Sequence, residues 1–544
     1  MIIDKMNDGK SIFTAWRENG ERKHKQVEVK PYFFVEEDCD EPQTYSPSKY
    51  ITRDFEYIRG DWVNLNKKSL KKVVVETSYD IKEAKKLFGK TYEADVPIHF
   101  RYCIDELHDM PEYDLKKWYW DMEWQQGGEH HDKITVIVAY DNYDKKYYQW
   151  AWFPNYEGEE YLHFDNEKEM LESFMRTMIV KDPDMLIAWF GNFADIPKLL
   201  DRACALGLNP CIMSPIGRVK GIKKTKDGFS FAYKENGFGQ IEQPIGGRIT
   251  LNLDLAFERQ WNDSQRGTLP SMSLDYISEM VLGRTKLKSE QFPDPNEFYR
   301  RGWLEDTETY LKYAIIDVEL MVELDETNYC SEAIISLQRL LKAPFDACFY
   351  ASHMGSIYFM RNAWWKAPTG SKVDKRETYE GAMIYDPLSE GTNGLHLNVA
   401  AFDFAGLYPA MMIIRNISWE TISEEPTQFA VNIATPRDFS PVTREHMLYY
   451  KTDKLGLLPR AVLELKELRN EYKRLMREAR ESGNGEYAKW YNNQMAVKRL
   501  MASFYGIVAF QGFGWANVNL AASITASARE AIRLAAFKAK ELEG

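Results

Sequence analysis

Between residue 111 and about residue 330, short β-prone runs and longer helix-periodic runs take turns, and this alternation constrains the fold more than any other feature of the chain. "KWYWDMEW" and "ITVIVAYD" read as strands, whereas "DIPKLLDRACALG" and "TYLKYAIIDVELMVEL" carry apolar residues at helical spacing. Strands that alternate with helices build a sheet covered by helices, so the stretch predicts an α/β domain. Within it, "GIKKTKDGFSFAYKENGFGQIEQPIGGRITLNLD" has turn residues at short intervals between β-prone runs and predicts inserted hairpins. Helical periodicity resumes around "SLQRLLKAPFDACFY".

At 544 residues the chain is too long for one core, and three or four domains are expected. Before the α/β stretch, residues 1–110 alternate short apolar runs such as "PYFFVEE" and "KKVVVETS" with polar turns, which predicts a small strand-rich domain. After it, a third region opens near "YEGAMIYDP", and residues 457–512 predict two helices separated by the turn "SGNGE". No internal repeat or low-complexity segment is present.

Hydrophobic residues make up 44% and charged residues 28%, the profile of a folded chain rather than a disordered one. A net charge of −12 argues against a uniformly basic coat for nucleic acid, yet leaves room for local basic patches. Six cysteines (Cys39, Cys103, Cys204, Cys211, Cys330, Cys348) form no C-x-x-C pair, so neither a zinc ribbon nor a disulfide framework is suggested. The start "MIIDKMNDGKSIF" lacks a secretory pattern and no apolar stretch has the length of a membrane span, so a cytoplasmic protein without a membrane partner is expected.

Four carboxylates in the α/β stretch suit metal chemistry. Asp121 and Glu123 stand two apart on a strand, so both side chains leave the same face; an isolated D-x-E also fits a solvated strand. Asp195 follows an apolar strand and a short loop at the start of a helix, where helix capping is the competing role. Tyr313 and Asp317 are four apart on one helical face, a spacing that also fits packing plus a surface charge. Together Asp121, Glu123, Asp195 and Asp317 suit two divalent ions about 4 Å apart, Mg²⁺ or Mn²⁺, of the kind that activate water in phosphodiester hydrolysis.

A second set lies further on. "AAFDFAGLYPAMMI" puts one carboxylate, Asp403, into an apolar run read as a strand. In "GLLPRAVLELKELRNEYKRLMREARES" Arg469 and Lys473 are one helical turn apart, and in "EYAKWYNNQMAVKRLMASFYGIVAF" Lys498 and Tyr505 share a face. Antiparallel packing of these helices brings three cations together, as a triphosphate requires. Either helix alone fits a solvated basic face.

Taken together, these residues carry a specific resemblance. The order and setting of Asp121, Glu123, Asp195, Tyr313 and Asp317 resemble the ribonuclease-H-like 3′ to 5′ exonuclease domain of family B DNA polymerases. "DFAGLYPAMM" resembles the family's D-x-x-S-L-Y-P-S, "KRLMASFYG" its K-x-x-x-N-S-x-Y-G, and "YEGAMIY" its Y-x-G-G element; "SMSLDYISEMVLGRTKLK" is similar to the T-even-phage (bacteriophage) type. The resemblance implies a multidomain α/β chain: a strand-rich domain over 1–110, the exonuclease over 111–330, a helical return to the N-terminal domain over 331–375, palm over 376–456, fingers over 457–512 and incomplete palm over 513–544.

By the same resemblance Tyr313 orients the attacking water and Asp403 binds the polymerase metal ions. Gly406 and Leu407 cradle the triphosphate, and Tyr408 underlies the sugar and excludes a 2′-hydroxyl. Arg469, Lys473 and Lys498 hold phosphates, while Tyr505 and Gly506 line the nascent base pair. Implied partners are primer–template DNA, the 3′ end of single-stranded DNA and deoxynucleoside triphosphates. Departures stand at Phe190, where the family usually has Asn, at Ala194 (Phe), at Gly406 and Ala410 (Ser) and at Ala502 (Asn), with Asn192 close to the first two.

The chain has no Y-G-D-T-D-S hairpin to supply a second palm carboxylate, and it ends in the Ala-rich "NLAASITASAREAIRLAAFKAKELEG". The expectation is a proofreading DNA polymerase subunit completed by a second chain that carries the remaining palm and the thumb. The alternatives are a free-standing 3′ to 5′ DNA exonuclease and a DNA-binding scaffold with decayed sites.

Overall fold

The structure, a computed structural model, describes every residue except 126, 128, 154–161, 236–241, 264–266, 371–377, 384–393, 396, 398, 400, 401, 437–442 and 544. Two compact units result. One comprises Met1–Val29, His108–Ile335 and Pro344–Asp346; the other comprises Lys30–Leu107, Ser336–Ala343 and Ala347–Gly544. The strand-rich stretch 1–110 is therefore shared between them. Its first strands, Ile2–Lys5, Ser11–Glu18 and Glu21–Glu28, form a sheet in the first unit. Charge explains their attachment: Arg17 Nε meets Asp184 Oδ2 at 2.5 Å with both side chains buried, and Arg22 Nη1 meets Asp182 at 2.7 Å. Such a buried pair leaves an uncompensated charge if either partner is lost.

The first unit is built on a mixed sheet in the spatial order Leu162–Phe164, Lys146–Trp152, Ile134–Asp141, Lys117–Trp124, Met185–Ala188, Ile249–Asn252. Lys117–Trp124 runs antiparallel to Ile134–Asp141 and parallel to Met185–Ala188. Its period of two sorts its residues between faces. Trp118 and Trp120 turn to one side, where both rings meet Phe174 of the helix Glu167–Lys181. Tyr119 turns to the other, under the helix Thr307–Asn328, and its hydroxyl donates to Asp325 Oδ2 at 2.6 Å. The hairpin expected after residue 221 is present as Ile222–Thr225 paired with Gly228–Phe231; residues 236–241 of that insertion lie outside the described ones.

The second unit begins with an antiparallel sheet of Tyr32–Glu36, Ser69–Val74 and Glu56–Val63 over a core of Phe33, Val35, Val73 and Phe88. Helix Leu457–Ser482 turns back through Gly483 and Gly485, both at positive φ (62° and 78°), into helix Tyr487–Ala509. Positive φ favours glycine because no Cβ meets the backbone there. Next comes the helix Val518–Glu543. Its early Ala-rich turns, around Leu520–Ala528, are buried, whereas Leu534 and Phe537 near its end are exposed.

One local expectation is corrected. The apolar run around Asp403 is not a strand: Phe402–Phe404 have no regular structure, Gly406 takes φ 73°, and Leu407–Ile414 form a helix. Gly406, the N-cap, takes a left-handed φ that glycine adopts without a Cβ clash, and Pro409 falls in the first helical turn, where a missing N–H removes no intrahelical bond. Residues 400 and 401 of this run, and 384–387 of "YEGAMIYDP", lie outside the described residues. Among the described residues no helix is long and apolar enough to cross a membrane.

Candidate functional site

On the strand Lys117–Trp124, Asp121 and Glu123 follow Tyr119 on the face beneath the helix Thr307–Asn328. Asp121 is in register with Val138 and Glu123 with Val136, so apolar neighbours flank both. The helix supplies Asp317 one turn after Tyr313, both buried. As a result, carboxylate oxygens of Asp121, Glu123 and Asp317 come within 4.8 Å of one another. Asp195 stands outside that group of three but lines the same cavity, of about 750 Å³. It occupies the first turn of the helix Asp195–Ala205 without capping it, as the preceding Ala194 is the N-cap.

So many carboxyls in so little water disfavour their own charge. Burial and the neighbouring Asp317 push Asp121 up to about 7. Burial, then Asp121 and Asp317, hold Glu123 well above the carboxylate range, and burial followed by Asp121 does the same for Asp195. Burial also raises Asp317, against the opposing charge of Lys286.

Among the described residues Lys286 is the cation bonded to a carboxylate of the site, and Lys288 also lines the cavity. Its Nζ donates to Asp317 Oδ2 at 2.5 Å and to Tyr313 Oη at 2.9 Å. Burial works against its charge, but Asp317, Asp121 and Glu123 outweigh burial and hold its pKa above the usual lysine range. Tyr299 Oη lies 3.2 Å from Tyr313 Oη, and burial, then Glu123 and Asp317, keep the Tyr313 hydroxyl protonated. Neither Lys286 nor Tyr299 was singled out by sequence reasoning. The one trace of Lys286 is its place in "RTKLK", next to the helix that starts with "SLDYI".

The donor set fits a hard divalent cation. It is all oxygen and acidic, and Asp317 Oδ1 is buried with no partner among the described residues. Trp124, Trp189, Phe190, Phe292 and Tyr299 give the cavity aromatic walls. Phe190 and Ala194, two of the departing positions, both line it, and Asn192 is buried behind.

In the second unit the helices Leu457–Ser482 and Tyr487–Ala509 bring the expected cations together. Burial lowers the pKa of Lys473, and Arg469, Lys498 and Arg477 lower it further. Arg477, one turn beyond Lys473, is a fourth cation that sequence reasoning missed. Arg469 Nε also donates to Gln494 Oε1 at 3.3 Å.

The Tyr408 ring lies 4.7 Å from that of Tyr505, whose hydroxyl is 2.9 Å from the hydroxyl of Tyr379. Leu407 and Tyr408 open the helix Leu407–Ile414 directly after Gly406, and Gly506 follows Tyr505 on its helix. Asp403 is exposed, and among the described residues it belongs to no group of three metal-ligating side chains. Ala502 is also exposed.

Comparison with known proteins adds two matches along the chain. Residues 118–277 match the exonuclease domain of DNA polymerase family B, and residues 356–540 match DNA polymerase family B. The DNA polymerase of Pyrococcus glycovorans is 27% identical over 471 residues, which cover 83% of this chain and 54% of that polymerase. DNA polymerase 1 of Pyrococcus abyssi is 28% identical over 384 residues, covering 68% of this chain and 44% of the relative. The chain thus spans about half the length of these curated relatives. In fold it is similar to the family B DNA polymerase from the archaeon Pyrobaculum calidifontis, with a TM-score of 0.71 at 19% identity over 99% of this chain and 71% of that one.

Proposed function

We propose, from the premise that this chain is a homologue of archaeal family B DNA polymerases with that family's exonuclease region, that it removes nucleotides from the 3′ end of single-stranded DNA. The observation that carries the reading is the approach of Asp121, Glu123 and Asp317 within 4.8 Å, with Asp195 on the wall of the same cavity. These four would hold Mg²⁺ or Mn²⁺. Divalent ions bound there supply Lewis-acid activation of water and neutralise charge on the phosphate.

The chain's own side chains do the rest. Tyr313, its hydroxyl kept protonated and held between Lys286 and Tyr299, orients the water at the scissile phosphate. Lys286 offsets negative charge at the cavity, first that of Asp317 and then that of the bound strand. Aromatic walls at Trp124, Phe190 and Tyr299 offer stacking surfaces to unpaired bases, which present a π-face whatever their sequence. Digestion of a 3′-labelled single strand is expected in Mg²⁺ and not in chelator. It should fall at least about a thousandfold in Asp121→Ala with Glu123→Ala, since both substitutions remove oxygen donors; retention of activity would sink the reading.

The finer reading is a ribonuclease-H-like exonuclease followed by part of a T-even-type palm and fingers, with the residue ranges predicted above. Arg469, Lys473 and Lys498, joined by Arg477, would bind the triphosphate of a deoxynucleotide. Tyr408 and Tyr505 would form the floor beneath it, beside Gly406, Leu407 and Gly506. Asp403 would contribute to a polymerase metal site, completed by carboxylates from further polypeptide, in this reading a second chain. Its support is the convergence of the cations on Lys473 and the Tyr408–Tyr505 contact. Primer extension in the presence of a polypeptide carrying a Y-G-D-T-D-S hairpin is the measurement that decides it.

A further inference from the structure

Asp195 is delivered to the cavity by residues 189–194, which leave the strand Met185–Ala188 and enter the helix Asp195–Ala205. The loop turns partly on its own backbone: the N–H groups of Phe193 and Ala194 donate to the Phe190 carbonyl, and that of Ile196 to the Gly191 carbonyl, at 2.8–2.9 Å. The adjacent strand Ile249–Asn252 adds a side chain. Asn252, in register with Ala188, accepts the N–H of Asn192 on Oδ1 at 2.8 Å. A second strut is backbone, the N–H of Asp254 reaching the Trp189 carbonyl at 3.4 Å. Gly191 lets the loop close here, because a Cβ would lie 2.9 Å from that of Ala188.

Asn192 and Asn252 are 7% and 5% exposed, yet Asn192 Oδ1 and Asn252 Nδ2 have no partner among the described residues. The unpaired Asn252 Nδ2 carries a desolvation cost with no bond to offset it, whereas its Oδ1 satisfies the buried N–H of Asn192. What the Asn252 amide visibly holds is therefore the loop.

We propose that Asn252 is a positioning residue for Asp195: by fixing the loop through Asn192, it sets the affinity of the carboxylate cavity for divalent cations. The inference rests on the metal-dependent nuclease reading of the cavity. Groups that orient metal ligands from behind typically change metal affinity by about 10–100-fold when removed.

The test is a Mn²⁺ titration of the full chain, reading unbound Mn²⁺ by electron paramagnetic resonance, with the relevant sites identified as those lost in Asp121→Ala with Glu123→Ala. Asn252→Ala is expected to weaken them about tenfold. The Mg²⁺ concentration for half-maximal digestion should rise by the same factor, with KM for DNA unchanged. Asn252→Asp, which keeps the acceptor, is expected to bind Mn²⁺ at least as tightly as the wild type. If the alanine variant does not fold, Asn252→Ser, too short to reach Asn192, gives the same comparison.

An unmoved Mn²⁺ isotherm in the alanine or serine variant, a loss confined to kcat, or an equal loss in Asn252→Asp would overturn the proposal. Digestion that depends on Asp121 and Glu123 while the isotherm ignores Asn252 would leave the nuclease reading standing and remove this one. A Mn²⁺ isotherm that responds to Asn252 in a chain that digests no DNA would do the reverse.

Discussion

At the scale of single residues, the carboxyls of the first unit show how burial sets chemistry. Asp254 is 6% exposed and its Oδ1 has no partner among the described residues; burial pushes it up to about 7. Its folded pKa thus lies above the unfolded value of about 3.9. As pH rises between these two values, the unfolded chain releases the proton while the folded one keeps it, so stability falls through that window. Asp254→Asn is expected to raise Tm at pH 8 and to change it little at pH 4, measured in chelator. Equal gains at the two pH values would refute the assignment. Asp121 has the same sign, so in the metal-free protein its own contribution to stability also falls as pH rises from about 4 to about 7.

At the scale of elements, the strand Lys117–Trp124 does two jobs through one periodicity. Trp118 and Trp120 bury against Phe174, and on the other face Tyr119 seats the helix that carries Tyr313 and Asp317. The Tyr119 hydroxyl meets Asp325, which also accepts the N–H and hydroxyl of Ser331. Tyr119→Phe removes one of three donors from a buried carboxylate while keeping the ring. Equilibrium urea denaturation should show a loss of about 1–2 kcal/mol. A loss below a few tenths of that range would mean that the helix is seated by packing alone. The helices Leu457–Ser482 and Tyr487–Ala509 illustrate the same logic with charge: one turn between Arg469, Lys473 and Arg477 aligns cations, and the turn at Gly483 and Gly485 returns the chain so that Lys498 joins them.

At the scale of the molecule, chemistry is divided between two compact units, each with its own candidate site. On the split reading proposed above, the chain is expected to extend a primer once it is supplied with a polypeptide that carries palm carboxylates and a thumb. In that mixture Arg469→Ala with Lys473→Ala should raise the half-saturating deoxynucleotide concentration at least about tenfold, one charge-assisted contact contributing about 1.5–3 kcal/mol. Nuclease activity of the same variant should be unchanged. No extension with a competent partner would remove the split-polymerase reading, and a parallel loss of nuclease activity would contradict the separation of the sites.

What the amino-acid order determined by itself is local and periodic. Alternation at two residues marked the strand that holds Asp121 and Glu123, spacing at four paired Tyr313 with Asp317, and glycines marked the turn between the helices Leu457–Ser482 and Tyr487–Ala509. These follow from backbone geometry, which each short segment carries within itself. The tertiary structure alone decided which distant residues meet. Lys286 reaches Asp317 from 31 positions away, Asn252 reaches Asn192 from 60, and Tyr379 reaches Tyr505 from 126. It also divided the N-terminal strands at Val29, where buried ion pairs hold the first sheet to the carboxylate-bearing unit. A charge finds its counter-charge through sheet order and helix packing, and no short segment encodes either of these.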